Sequence, residues 1–515
     1  MKKLPIGIQT FSKIIAGNYY YVDKTELIAQ LTEQGGGYYF LSRPRRFGKS
    51  LFLDTLKEAY SGNRELFQGL YLENNWDWSK KHPVVKISFG SGVLKTPEIL
   101  QQRIHEILYK QLQENSLTDS HNKTIAGKFS TLLENLHKKY SQKAVVLIDE
   151  YDKPILDNIT DTAIATQMRD ELKNLYSVLK DADAHIQFVF ITGVSKFSKV
   201  NLFSGLNNLE DISLNENFAT ICGYTQEQLN TVFQDKLGDV DMVSLQQWYN
   251  GYNFLGDSVY NPYDVLLYLK NKKFKNYWFE TGSPSFLLKL VQERQYTIPL
   301  MESIKLSESA LDRFDVNSIE LETLLLQTGY LTIKQVQQRG ILRYYHLTFP
   351  NLEVKHSLND SILHFLIHAG QQQERNKDNL YTLLEHSNVE GFEQIFHAFF
   401  ASIPHDWYRK NTLANYEGYY ASIFYTYFTA IGVDVKPEDV TNNGQVDMTV
   451  LFEDNVYVFE FKVIELTKAG SALAQIKEKK YYEKYLTGKE KNVFLIGVEF
   501  SKDERNITNY EWEKL

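Results

Sequence analysis

The run Ser42-Arg43-Pro44-Arg45-Arg46-Phe47-Gly48-Lys49-Ser50-Leu51 limits most strongly what this chain can fold into. It follows the apolar tetrad Tyr38-Tyr39-Phe40-Leu41 and leads into Phe52-Leu53-Asp54-Thr55-Leu56-Lys57-Glu58-Ala59, which reads as strand, tight loop, helix. Gly48-Lys49-Ser50 matches the end of the phosphate-binding pattern G-x-x-x-x-G-K-[ST]. In that pattern, N–H groups at a helix start wrap phosphates, the lysine reaches the β/γ oxygens and the hydroxyl holds Mg²⁺. Arg43 stands where the first glycine is expected, and Pro44-Arg45-Arg46 fill the loop. The bland alternative is a basic helix start with a chance Gly-Lys-Ser.

Downstream segments favour the nucleotide reading. Val84–Phe89 is a second strand candidate, and Thr96-Pro97 opens a helix with a cap and a proline at its first position. Ala144-Val145-Val146-Leu147-Ile148-Asp149-Glu150 is a continuous apolar run ending in two acids. A strand buried on both faces has this composition, and ligands bind at the carboxyl ends of such strands. Asp149 is therefore expected to hold Mg²⁺ together with Ser50, and Glu150 to orient and deprotonate the attacking water. A fourth strand, Ile186–Gly193, ends near Thr192 and Ser195, two candidates for sensing the γ-phosphate. Strands alternating with helices predict a mostly parallel α/β layer. Strand Ile186–Thr192 should lie between Tyr38–Leu41 and Ala144–Asp149, where its polar end would sit between the loop and the acids.

Composition bounds the rest. A length of 515 residues allows several domains. The net charge of −8 excludes a globally basic nucleic-acid binder, so any such surface must be local. A single cysteine, Cys222, excludes an intrachain disulfide and a Cys-based zinc site. The chain shows no signal-type apolar region and no apolar run of about eighteen residues; the expectation is a cytoplasmic protein with no membrane span.

From about residue 271 the pattern changes. Glu320–Gln327 reads as a short helix, and Tyr330–Val336 and Tyr344–Phe349 as strands around Arg339-Gly340. Helix then hairpin suggests a winged-helix unit serving as a lid over residues 271–358, followed by a helical connector over 359–404.

The C-terminal stretch carries a second set of charges. In Asn455–Lys462, Val458, Glu460 and Lys462 share one face and Tyr457, Phe459 and Phe461 the other. A Glu and a Lys on an apolar strand are costly to bury without partners or a task. With Asp454-Asn455 as a two-residue turn, residue 447 pairs with 462 and 449 with 460, so Asp447, Glu460 and Lys462 meet on one face. A one-step slip would reverse this. Two carboxylates can hold a divalent metal that activates water, and Lys462 can position that water or offset charge. A salt-bridged strand pair on a solvated face is the plain alternative.

Two resemblances follow from these residues. Tyr20–Thr25, Leu41–Ser50, Leu147–Asp152, Thr192–Ser198 and Trp248–Tyr252, with Tyr260-Asn261-Pro262, resemble the bacterial predicted AAA-ATPase-like family over roughly residues 4–270. In that family R-P-R-R-F-G-K-S is the usual loop form. The resemblance implies a STAND-like ATPase whose nucleotide state gates an attached effector. Arg45, Arg46, Gly48, Lys49, Ser50 and Asp149 would then bind ATP and Mg²⁺, with Asn261-Pro262 on the adenine side. Asp447 and Glu460-Phe461-Lys462 resemble the PD-(D/E)xK nuclease superfamily over roughly 405–515, with Val446 in place of the proline. This implies a restriction-endonuclease-like α/β domain, with Glu417 as a helix acid and Glu417, Asp447 and Glu460 as metal ligands for Mg²⁺ or Mn²⁺. Gln475–Tyr482 would be the following helix and Asn492–Val498 the final core strand. The combined expectation is an ATP-gated nuclease acting on DNA in preference to RNA, in defence or repair, with a homo-oligomer left open. The rival is a nucleotide-switched regulator whose C-terminal domain only binds a partner.

Overall fold

Tyr38–Ser42 (β1) follows two short helices, Phe11–Ala16 (α1) and Thr25–Thr32 (α2), and is buried at every position. The computed structural model describes the chain except residues 1, 34–36, 119–123, 197–201, 204, 282–286, 288–300, 302–303, 313–319, 368–369, 403–416, 466–469 and 487–491, and the side chains of 365–367, 370–373 and 417–419. Among the described residues, no helix is long and apolar enough to cross a membrane.

After β1 come Lys49–Tyr60 (α3), Val84–Ser88 (β2), Pro97–Glu114 (α4), Ile125–Tyr140 (α5) and Ala144–Asp149 (β3). Lys153–Leu156 (α6), Thr162–Asp181 (α7), Ile186–Gly193 (β4) and Leu209–Asp211 (β5) follow. The five strands form one parallel sheet in the order β2-β3-β4-β1-β5. β4 thus lies between β3 and β1, as the polar strand end requires. β3 is buried throughout while the edge strand β2 alternates, the burial expected of central and edge strands. Registers Leu41↔Thr192, Ser42↔Gly193 and Ser88↔Asp149 bring the carboxyl ends of these strands to the same edge of the sheet. Helices α3 and α5 pack on β3, and α4, α5 and α7 on one another.

The chain divides into two compact units. The first joins Met1–Ser283 to Lys305–Asn351; the second joins Pro284–Ile304 to Leu352–Leu515. The first also contains Gln226–Val232 (α8), Met242–Tyr249 (α9) and Pro262–Asn271 (α10). It further contains Lys305–Ser307 (β6), Glu308–Asp312 (α11), Leu321–Thr328 (α12), Thr332–Arg339 (β7) and Leu342–Thr348 (β8). The last strands pair antiparallel as β6-β8-β7, a helix-then-hairpin unit.

The second unit carries helices Leu352–Ile367 (α13), Gly370–Glu385 (α14), Glu390–Ser402 (α15) and Glu417–Ala430 (α16). Asp434–Thr441 (β9), Gly444–Phe452 (β10), Asn455–Val463 (β11), Ser471–Lys479 (α17), Asn492–Ser501 (β12) and Asn506–Lys514 (β13) complete it. Its sheet runs β13-β12-β11-β10-β9, with β11 parallel to β12 and the other pairs antiparallel. The two faces of β11 have different partners. Phe459 and Phe461 meet Phe424 of α16, whereas Val456 and Val458 pack with Ile476 of α17 and Leu495.

The Trp248–Tyr252 segment shows how tightly the first unit is locked. Gly251 sits at φ +98°, and a Cβ there would collide with the Pro350 carbonyl oxygen. The adjacent Asn250 carbonyl accepts from Asn351 Nδ2 at 2.9 Å. Gly251→Ala is therefore expected to destabilise the first unit by about 2–4 kcal/mol, through strain plus overpacking. A thermal melt of the variant matching the wild type would contradict this packing.

Candidate functional site: a phosphate loop and a carboxylate pocket

The loop after β1 is shaped by two left-handed residues, Arg46 at φ +65° and Gly48 at φ +98°. Gly48 caps the start of α3, so only a glycine is relaxed there. Arg43, standing in place of the first glycine, is fully buried. Its Nη1 donates to the carbonyls of Ser42 (2.9 Å) and Ser213 (2.7 Å), and its Nη2 to that of Phe218 (3.2 Å). The guanidinium also lies 3.8 Å from the Phe254 ring centroid. Burial pushes its pKa down to about 10. The residue that breaks the glycine pattern is thus a clamp beneath the loop. Phe47 anchors the other side, its ring 4.7 Å from that of Tyr252. Arg45 and Arg46 are exposed on the loop, and Arg46 lies over Tyr263 at 5.1 Å.

Lys49 turns back onto this frame, its Nζ donating to the carbonyls of Arg43 and Pro44, both at 2.8 Å. Burial lowers its pKa, and the charge of Asp149 is the strongest influence in the other direction. Asp149 is buried at the end of β3, and its Oδ1 has no hydrogen-bond partner among the described residues. Glu150 follows at φ +53°, a left-handed conformation uncommon for Glu and the kind of strain found at functional sites. Its carboxyl is raised by burial and then by Asp149. Gly90 leaves it room: a Cβ there would come within 3.2 Å of Glu150 Oε2. Lys49, Ser50, Gly48, Arg45, Arg46 and Glu150 all line one cavity of about 520 Å³.

The two strand-end hydroxyls differ. Ser195 Oγ donates to Asp152 Oδ2 at 2.7 Å, and the same carboxylate accepts from the Ser195 N–H at 2.7 Å. Ser195 is therefore committed to holding the loop. Thr192 Oγ1 is buried with no partner among the described residues. Asn261 caps α10 through the Tyr263 N–H (2.9 Å), and Pro262 faces the cavity.

The sequence reading missed two contributors here. Lys24 lines the cavity and donates to the Thr220 carbonyl (2.6 Å) and Gln228 Oε1 (2.7 Å); burial pushes it down to about 8. Asp152 is the other. Both lie within segments that carry the family resemblance, but their roles depend on partners about forty to two hundred residues away in sequence.

In the second unit the hairpin turn is Glu453-Asp454, because Phe452 pairs with Asn455. This corrects the expected Asp454-Asn455 turn. The paired register ends at Met448↔Phe459, so one further step sets Asp447 opposite Glu460 instead of Lys462. The correction is an even one, so the face is unchanged. Asp447 Oδ2 accepts from the Phe461 N–H at 2.7 Å, and Lys462 Nζ lies 2.9 Å from Glu460 Oε1. Gln475, reaching over from α17, also donates to Glu460 Oε1. That residue was read only as part of a helix, because its reach to β11 depends on how α17 docks. The docking is specific: Glu499 on β12 accepts from the first N–H groups of α17, at 2.8 Å from Ser471. Gly497 also lets the Leu473 backbone come close.

Glu460 is almost wholly buried, and its Oε2 has no partner among the described residues. Burial first, and then Asp447, push its carboxyl up to about 7. Such an oxygen beside a second carboxylate fits a divalent cation, which would supply the missing partner and the missing charge. Glu417 opens α16; its side chain lies outside the described residues. No group of three or more metal-ligating His, Cys, Asp or Glu occurs among the described residues.

A stability test follows. Folded, Glu460 keeps its proton up to about pH 7; unfolded, it loses it near 4.5. Between these values the folded chain binds more protons, so stability falls as pH rises through that window. Metal-free Glu460→Gln is therefore expected to melt above the wild type at pH 8, by an amount on the order of 2–3 kcal/mol, and to gain much less at pH 5. Mg²⁺ should raise the wild type at pH 8 and leave the Gln variant largely unmoved. An equal gap at both pH values would contradict the buried-carboxyl account.

Residues 5–203 match the family described as "Predicted AAA-ATPase", and residues 415–510 match the PD-(D/E)XK nuclease superfamily. The "Uncharacterized protein in vnfD 5'region" of Azotobacter chroococcum mcd 1 is 51% identical over 515 residues, spanning 100% of this chain and 99% of that protein. A solved structure of the Aeropyrum pernix ORC1 protein in complex with DNA overlaps 65% of this chain and 91% of its own. It does so at 12% identity and a TM-score of 0.26, too low to transfer a fold or a function. The two matched segments contain the loop and the carboxylates described above, and the chain belongs to the predicted AAA-ATPase-like family, with a PD-(D/E)XK nuclease superfamily domain at its C-terminal end.

Proposed function

We propose that this protein binds and hydrolyses ATP, and that its nucleotide state gates a divalent-metal-dependent nuclease acting on DNA. The observation that carries the nuclease half is Glu460, a buried carboxyl with one unpartnered oxygen, pressed by Asp447 and touched by Lys462. Asp447 and Glu460 would hold Mg²⁺, with Mn²⁺ as a substitute and Glu417 as the third acid. When bound, the metal lowers the pKa of a water and neutralises phosphodiester charge. Gln475 and Lys462 both engage Oε1 of Glu460, which leaves Oε2 to face the ion. The Lys462 ammonium is placed to orient the water or to offset charge on the phosphate.

In the first unit, Gly48, Lys49 and the exposed Arg45 and Arg46 would receive the phosphates. Ser50 and Asp149 would hold Mg²⁺, and the unpartnered Asp149 Oδ1 supports that assignment. Glu150, with its raised carboxyl, suits a base that takes a proton from the attacking water. Thr192 remains a γ-phosphate sensor in this reading, whereas Ser195 serves the Asp152 loop. The helix-then-hairpin region acts as the lid, the protein works in the cytoplasm, and the pathway is defence or repair.

Lys49→Ala should weaken ATP binding by about a hundredfold, the effect of removing a buried charged donor. Glu150→Gln should bind ATP normally and turn it over at least about a hundredfold more slowly. Asp447→Ala should lose metal binding and DNA cleavage while its ATPase rate survives; Lys462→Ala should keep the metal and lose cleavage. Calorimetry for nucleotide and metal, with gel assays for cleavage, reads all four. Unchanged ATP affinity in Lys49→Ala would defeat the phosphate-loop assignment. A wild type that cuts no nucleic acid with any divalent ion would leave a regulator in place of a nuclease.

A further inference from the structure

From Thr323 to Leu352 the sequence contains no Asp or Glu, in a chain that has 64 of them, yet it contains Lys334, Arg339 and Arg343. This stretch holds the β7–β8 hairpin. The registers Lys305↔His346, Gln335↔His346, Gln337↔Tyr344 and Arg339↔Leu342 place Lys305, Gln335, Gln337, Arg339, Tyr344 and His346 on one face of the three-stranded sheet. The opposite face holds Tyr345 and Leu347, which are buried. Among the described residues, Glu216 pairs with Arg343 and Glu308 accepts from Tyr345, both residues of that inner face. The described outer face thus carries two cations, Lys305 and Arg339, and two amides, Gln335 and Gln337.

The tip is unusual too. Arg339 pairs with Leu342, so Gly340-Ile341 is a two-residue loop, with positive φ at the glycine alone. That is the pattern of a II′ turn, whose second position needs no apolar residue. Ile341 is nevertheless 97% exposed, and Leu342 52%. Folding gains nothing from this placement, because the hairpin cannot bury its own tip.

We propose that this wing docks on duplex DNA, with Lys305 and Arg339 on phosphates and Ile341 at a groove edge or base step. Apolar side chains flanked by cations are used in this way by groove-binding proteins. The choice of DNA rests on the nuclease reading above; the choice of a duplex rests on the face itself. Tyr344, its aromatic ring, is covered by Lys305 Nζ at 4.3 Å and is not open as a stacking platform for single-stranded bases. Helix α12 is not available for a groove, since Leu321, Thr323, Leu324, Leu325, Gln327 and Thr328 are all buried.

The test is fluorescence anisotropy of a labelled DNA duplex with the full-length protein in EDTA, with and without ATP, over a salt series. Arg339→Glu and Lys305→Glu should each weaken binding about tenfold and reduce the salt slope by about one. Ile341→Ser should weaken binding several-fold with the slope unchanged, and all three variants should melt with the wild type. Wild-type affinity and slope in both charge variants would overturn the proposal, as would tighter binding of single strands or RNA through the same residues. Cleavage assayed in parallel separates the two readings. Duplex binding that depends on the wing, with no cleavage under any divalent ion, upholds the wing and defeats the nuclease. Cleavage with wing-independent binding does the reverse.

Discussion

In each unit a carboxylate is withdrawn from water beside a lysine, and one of its oxygens has no hydrogen-bond partner among the described residues. Lys49 is buried near Asp149, and Glu460 is buried near Lys462 and Asp447. Desolvating such ions costs several kcal/mol each. The cost is sustained by what surrounds them. β1 and β3 are buried along their whole length, and β11 is held between the aromatic residues of α16 and the aliphatic residues of α17. The charges sit at strand ends and in a strand whose apolar neighbours fix the backbone. Asp149 Oδ1 and Glu460 Oε2 have no hydrogen-bond partner among the described residues.

The phosphate loop adds a second device. A glycine at position 43 would give the loop freedom that Arg43 removes. The arginine instead gathers carbonyls from Ser42, Ser213 and Phe218, tying the loop to a segment far along the chain. Lys49 then borrows the carbonyls of Arg43 and Pro44. Incoming phosphates would compete for that ammonium against neutral oxygens, a contest that a polyanion wins. The loop is thus rigid beneath and exchangeable above.

Much of this was legible in the sequence because it rests on local periodicity. The apolar run ending in Asp149-Glu150 gave a buried strand, Gly48-Lys49-Ser50 gave a helix start, and the alternation of 456–463 gave the face shared by Glu460 and Lys462. What was not legible depends on docking. The role of Arg43 needs Ser213 and Phe218; that of Gln475 needs Glu499 and Gly497 to seat its helix; Lys24 needs Thr220 and Gln228. The hairpin turn lies one residue earlier than expected, because Asp454 and Asn455 are favoured turn residues whereas Glu453 takes an uncommon left-handed φ of +50°. The face survived because an even shift keeps the side-chain parity. Ser195 looked like a sensor from its place after a strand, and only the fold shows its hydroxyl engaged by Asp152.

The proposed gating couples the two centres within one chain. The most direct measurement is the DNA cleavage rate at saturating Mg²⁺ with no nucleotide, ADP or ATP, in the wild type and in Glu150→Gln. With gating, the rate depends on which nucleotide is bound, and Glu150→Gln holds the ATP-state rate through a long time course while the wild type drifts as ATP is consumed. Equal rates in every nucleotide state, in both proteins, would contradict it.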